Sequence, residues 1–160
     1  LFRIRDRFIN PGKQLQKVGI KEGQTVLDFG CGPGSYTIPA ARMVGEKGRV
    51  YALDIHPLAV RTVEEKAKKE GLTNIATILF DRDTGLPDEC VDVILLYDTI
   101  HMMKDKRALL KELQRVAKPN GVLSILAEHI AVEDVLEIVE QDGFFSLKNQ
   151  HGKLVTFERG

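Results

Sequence analysis

One segment constrains this chain more than any other: Val26-Leu27-Asp28-Phe29-Gly30-Cys31-Gly32-Pro33-Gly34. An apolar run that reads as a buried strand, Thr25–Phe29, passes into three alternating glycines, and a helical pattern begins at about Ser35. Glycine reaches backbone dihedrals closed to other residues, and without a Cβ it lets a ligand come against the chain. The N-terminus of the following helix adds free N–H groups and a partial positive charge that suit an anion. A strand, glycine turn and helix in that order read as a nucleotide-cofactor cradle at the carboxyl end of a parallel sheet. A glycine-rich turn without a ligand is the weaker reading, because a simple strand-to-helix turn rarely needs three glycines.

The rest of the chain repeats the strand–helix alternation that builds a mostly parallel sheet. Pro39 is tolerable in the first helix, to Val44, because it falls in or near the first turn. Arg49–Leu53 is the second strand. A helix from Pro57 to Gly71 follows, with Val60, Val63 and Ala67 on its inner face. Ile75–Phe80 and Val91–Tyr97 are nearly continuous apolar runs, as expected of strands covered on both faces. A helix over Asp105–Lys118 ends at Pro119-Asn120-Gly121, strand Val122–Ala127 follows, and a last helix covers about Val132–Gln141. Phe144–Gln150 and Lys153–Glu158, separated by His151-Gly152, read as an antiparallel hairpin.

Asp54 closes the second strand, twenty positions beyond Gly34. A carboxylate there is placed to accept hydrogen bonds from both ribose hydroxyls of a nucleotide and disfavours a 2′-phosphate. The competing reading is a surface carboxylate or a helix cap ahead of Pro57. The dinucleotide fingerprint G-x-G-x-x-G fails in both frames, because Ser35 or Thr37 stands where the third glycine belongs. That argues against NAD. The whole reading requires the glycine loop and Asp54 to converge on one ligand.

Composition narrows the class further. With 160 residues, 43% hydrophobic and 29% charged, the chain is sized for one domain with one core. Basic and acidic residues balance at 23 each, so no nucleic-acid partner is expected. Arg3, Arg5, Arg7, Lys13, Lys17 and Lys21 crowd the first 25 residues, which reads as a solvated face rather than an anion-binding arm. Cys31 and Cys90 show neither metal-ligand spacing nor a disulfide framework, so the expected compartment is the cytoplasm. No apolar run approaches the roughly 20 residues of a membrane helix, and no membrane insertion is expected. Because the chain begins at Leu1 rather than methionine, further N-terminal residues are expected ahead of it.

These segments together resemble a class I S-adenosylmethionine-dependent methyltransferase of the small, ubiquinone-biosynthesis-like type over nearly the full length. Asp28–Gly34 is similar to the family's cofactor loop, Leu53-Asp54-Ile55 to its ribose-binding strand end, and Phe80-Asp81-Arg82 to the segment that contacts adenine. Leu86-Pro87, Val91-Asp92-Val93-Ile94 and Tyr97 resemble the fourth-strand region, and Leu113–Gly121 the helix and turn into strand five. The resemblance implies an α/β, Rossmann-like three-layer sandwich. Its seven-stranded, mostly parallel sheet would have the order 3-2-1-4-5-7-6, with the last strand antiparallel. It also implies one methyltransferase domain over 1–160, with 1–24 as an N-terminal cap segment. S-adenosylmethionine would lie against Gly30, Cys31, Gly32 and Gly34, with Asp28 holding its amine. Asp54 would take the ribose diol, Ile55 would pack on adenine, Asp81 and the Arg82 N–H would read the base, and Tyr97 would line the methionine end. S-adenosylhomocysteine would be the product.

The acceptor is less legible. Methyl transfer from a sulfonium has a good leaving group, so positioning supplies much of the catalysis, and a base is needed only where the nucleophile must lose a proton. No catalytic residue is assigned. His101 is a candidate base, although a histidine there more often packs or caps, and a metal site built on Asp98 with His101 lacks a third ligand. Tyr97-Asp98-Thr99-Ile100 departs from the Asn/Asp-Pro-Pro-aromatic sequence of amino-methyltransferases, and Cys31 with Cys90 cannot supply the thiols of an arsenite methyltransferase. Met102 and Met103 read as core or pocket lining. The expected acceptor is a small molecule, reached through a pocket that a homo-oligomer or a partner could complete. A non-catalytic adenosylmethionine-binding subunit that regulates a partner is the alternative.

Overall fold

A computed structural model describes residues 10–80, 83–97 and 99–160. Residues 11–18 form a helix the sequence reading did not separate from the cap segment, α1 (Pro11–Val18). Its ends are marked in sequence: the Asn10 side chain accepts the Lys13 N–H at 3.2 Å, Pro11 opens the first turn, and Gly19 closes it at φ +84°. Then follow β1 (Thr25–Phe29), α2 (Thr37–Val44), β2 (Arg49–Asp54), α3 (Pro57–Lys69), β3 (Ile75–Leu79) and β4 (Val91–Tyr97). A single 3₁₀ turn at Ile100–Met102 leads to α4 (Lys106–Val116), β5 (Ala117–Leu126), α5 (Val132–Glu140), β6 (Phe145–His151) and β7 (Leu154–Arg159).

The seven strands form one sheet in the order β3-β2-β1-β4-β5-β7-β6. All neighbours are parallel except those of β7, which runs antiparallel to β5 and to β6. This is the expected α/β sandwich. Buried side chains fill both faces of the sheet. Leu27, Ile94, Leu96, Leu113, Leu123 and Phe157 belong to one layer, and Val26, Ala40, Val44, Val50, Val93 and Leu95 to the other. Leu15 anchors α1 in the second layer and is fully buried.

Three expectations need correction. β3 is not covered on both faces: it is the edge strand, half-buried, and Leu79 is exposed. A continuous apolar run cannot distinguish a central strand such as β4 from an edge strand packed by one helix. The last hairpin turns at Gly152-Lys153 rather than His151-Gly152, because His151 pairs with Leu154 and Gly152 takes φ +60° at the first turn position. β5 also starts earlier than Val122. Ala117 already pairs with Val91, the next pair is Val122 with Val93, and Lys118–Gly121 loop out between them.

Glu112 ties the segment ahead of β4 to α4. Its carboxylate accepts the Thr84 N–H at 2.9 Å and the Thr84 hydroxyl at 2.7 Å, while Arg115 donates to both carboxylate oxygens at 2.7 and 2.9 Å and to Asp88 at 2.8 Å. Hydrogen bonding from Arg115, followed by that from Thr84, holds the Glu112 carboxyl down at about 2. A carboxyl depressed in the folded state adds stability above its unfolded value, and that stability is lost as pH falls through the folded one. Glu112→Gln is therefore expected to lower stability by about 1–2 kcal/mol at neutral pH, discounted for the partly exposed Arg115. In urea denaturation the difference should shrink as the pH is lowered from 4.5 toward 2.

Candidate active site

β1, β2 and β4 are adjacent parallel strands, so their carboxyl ends open at one edge of the sheet, where α/β folds bind ligands. There the chain leaves β1 through Gly30, Gly32 and Gly34, all at positive φ (+80°, +52° and +90°). The turn is stapled to β2, since the Gly30 and Cys31 N–H groups both donate to the Leu53 carbonyl at 2.7 and 2.9 Å. The three glycines do different jobs. A Cβ on Gly30 would strike the Thr99 hydroxyl, and one on Gly34 would crowd Val63 of α3 at 3.1 Å. A Cβ on Gly32 would meet nothing within 4 Å, so the chain leaves open space there.

Asp54 meets the loop directly. One carboxylate oxygen accepts the Gly32 N–H at 2.9 Å and the other the His56 N–H at 3.0 Å, and the residue is only 8% exposed. The glycine loop and the β2 carboxylate thus converge. Together they border a cleft of about 340 Å³, within the usual range of small-molecule sites. Its walls include Gly30, Gly32, Asp54, Ile55 and Tyr97 from the sequence reading. Phe29, Leu53, His56, Thr99, Met102 and Met103 join them. A second hollow of about 370 Å³ shares Ile55, Met102 and Met103 with the first and reaches Phe80 and Leu109.

The remaining sequence candidates lie elsewhere. Asp28 is buried beneath the loop, where the Thr37 hydroxyl donates to it at 2.6 Å. Burial, opposed by that bond and reinforced by the charge of Asp54, raises its carboxyl to about 6. Cys31 is buried, and burial with the nearby carboxylates Asp28 and Asp54 pushes its thiol up to about 12, so it stays protonated and unreactive. Gly34 packs on α3 rather than lining the cleft. Asp81, Arg82 and Asp98 fall outside the described residues. Tyr97 offers its ring and not its hydroxyl, which is engaged with Ser124 Oγ at 2.8 Å within the sheet; burial pushes the phenol well above its ordinary value.

Sequence reasoning missed Thr99 and His56. Thr99 donates to the Tyr97 carbonyl at 2.9 Å and lies where only a glycine at position 30 can pass. Nothing in a single sequence marks such a contact, because the two residues are sixty-nine positions apart. Among the described residues, no group of three His, Cys, Asp or Glu side chains is arranged to hold a metal ion. No described helix is long and apolar enough to cross a membrane.

Strand order, glycine turn and β2 carboxylate define a Rossmann-like fold with a nucleotide-type cofactor cradle. Residues 20–155 match the methyltransferase-domain family, and the chain belongs to it. It is 31% identical over 109 residues to a demethylmenaquinone methyltransferase of Geobacillus stearothermophilus, covering 68% of this chain and 47% of that protein. It is 32% identical over 140 residues to a ubiquinone/menaquinone biosynthesis C-methyltransferase of Vibrio vulnificus, covering 86% and 54%. The chain spans about half the length of these curated relatives. The crystal structure of a SAM-dependent methyltransferase from Aquifex aeolicus superposes with a TM-score of 0.84 at 33% identity, covering 97% of this chain and 91% of that one.

Proposed function

We propose that the domain transfers the methyl group of S-adenosylmethionine to a ring carbon of a small hydroxylated aromatic acceptor of the quinone type. The observation that carries the cofactor assignment is the 2.9 Å bond from the Gly32 N–H to Asp54 at the edge of a cleft that Gly32 lines, with open space where its Cβ would stand. The cofactor supplies an electrophilic methyl on a positively charged sulfur. The protein supplies placement. Asp54 is set to accept the ribose hydroxyls, Ile55 to cover the base, and buried Asp28 to favour a cation above it; Asp81 and the Arg82 N–H are proposed for the adenine edge. The acceptor class rests on the names of the two relatives and on the apolar rim, where Ile55 and Met102 are 60% and 68% exposed.

We further propose a cytoplasmic location, in keeping with two cysteines that stay free. Residues 1–24 are proposed as a cap segment of the single domain, with Leu15 as the anchor of α1. A second copy or a partner subunit is proposed to complete the open side of the pocket.

S-adenosylhomocysteine should raise the melting temperature of the wild type, and NADH should not. Asp54→Ala is expected to weaken S-adenosylhomocysteine binding by about 1–3 kcal/mol in calorimetry, because the loop N–H and the ribose hydroxyls lose their shared acceptor. Stabilisation by NADH alone, or unchanged affinity in the variant, overturns the cofactor site.

A further inference from the structure

We infer that His101 and His129 form a proton-accepting pair for a hydroxyaromatic acceptor, an assignment that rests on the acceptor class proposed above. Their rings lie 5.5 Å apart between centroids, inclined at 59°. The two come from separate elements. His101 stands in the 3₁₀ turn that follows β4, and His129 in the segment that follows β5. β4 and β5 are neighbouring parallel strands, so both imidazoles belong to the sheet edge that carries the cofactor cleft. On either side of His101, Thr99 and Met102 line that cleft. His101 itself lines an open groove of about 450 Å³ between its turn and α5. His101 is the member of the pair that lines the groove, and its neighbours Thr99 and Met102 join that turn to the cleft.

Two bases suit carbon methylation of a phenol because two protons move. The hydroxyl proton passes to one imidazole nitrogen, and its bonding pair stays on oxygen as phenolate. The new carbon–carbon bond forms from a ring π pair as the sulfur–methyl bond breaks, leaving that pair on sulfur. The proton on the methylated ring carbon passes to the second imidazole, and its bonding pair restores the aromatic ring. The oxygen then recovers its proton from the first imidazole, and the second releases one proton to water. The net products are the methylated phenol, S-adenosylhomocysteine and one proton. Lys106 from α4 and Asp134 and Glu137 from α5 share the groove with His101, and Glu128 precedes His129, so these charges also bear on the pair.

The test uses 4-nitrophenol as a coloured acceptor mimic, added to the full chain saturated with S-adenosylhomocysteine at a pH where the free phenol is neutral. With the wild type the phenolate absorption band should appear. In His101→Gln with His129→Gln it should be lost, while S-adenosylhomocysteine affinity stays within twofold. With 1,4-naphthohydroquinone as acceptor, the double variant should lose kcat by on the order of 10²–10⁴-fold, the usual worth of general-base catalysis. Added imidazole should restore part of that loss in His101→Ala. No phenolate band with the wild type, or kcat within twofold in the double variant, overturns the pair. Absent S-adenosylhomocysteine binding would instead sink the cofactor site, and binding without turnover of the naphthohydroquinone would sink the acceptor class and the pair with it.

Discussion

Gly32→Val should abolish measurable S-adenosylhomocysteine binding while the protein remains folded. Gly32 sits at φ +52°, with open space where a Cβ would point, and it lines the cleft of about 340 Å³. The two valine methyls would occupy that space, and no neighbour lies close enough to be displaced in their place. The backbone cost is limited to a β-branched residue at positive φ, about 1–2 kcal/mol, which a domain of this size survives. Gly30 provides the contrast. Its Cβ would strike the Thr99 hydroxyl, so Gly30→Ala should disturb packing between the β1 and β4 ends and lower the melting temperature as well. Calorimetry with circular dichroism separates the two. A Gly32→Val protein that binds within threefold of the wild type would show that the ligand does not lie on the loop.

Asp28→Asn should make the ligand-free protein more stable and its ligand complex weaker. Burial, the proximity of Asp54 and an opposing bond from Thr37 leave the carboxyl at about 6 in the folded chain, against 3.8 unfolded. A carboxyl raised on folding contributes stability that is fully present below the unfolded value and is lost as pH rises through the folded one. At pH 8 the ionised group therefore opposes folding, and removing the charge should raise stability by up to about 3 kcal/mol. The gain should fade toward pH 4, and urea denaturation at both pH values checks it. On the function proposed above, the same ionised carboxylate is what a ligand cation would meet from below. Wild-type affinity for S-adenosylhomocysteine should thus fall as pH drops through 6, with proton release on binding, and both effects should vanish in the variant. A gain in stability independent of pH would remove Asp28 from this role.

Much of this was legible in one dimension because the interactions concerned are local. The strand–glycine–helix turn at Thr25–Val44 needs only neighbours in sequence, and so do the cap at Asp105, which accepts the Ala108 N–H at 2.9 Å, and the apolar stripe Leu109, Leu110, Leu113 and Val116. α1 was legible too, in Asn10-Pro11 and Gly19, although its short apolar pattern hid it. The hairpin turn was misplaced by one residue because His151-Gly152 and Gly152-Lys153 both supply a glycine, and only the pairing of His151 with Leu154 chooses between them.

What the chain's own pattern determined was the class of fold and the kind of ligand it cradles: periodicity, glycines without side chains and a carboxylate at a strand end act within one supersecondary unit. Tertiary structure alone decided that Gly30 must yield to Thr99, that the Tyr97 hydroxyl turns to Ser124, and that His101 meets His129. Each of those pairs joins residues far apart in the chain, brought together by the parallel crossovers that set β4 between β1 and β5. Their contact follows from the order of the strands, which no local propensity encodes.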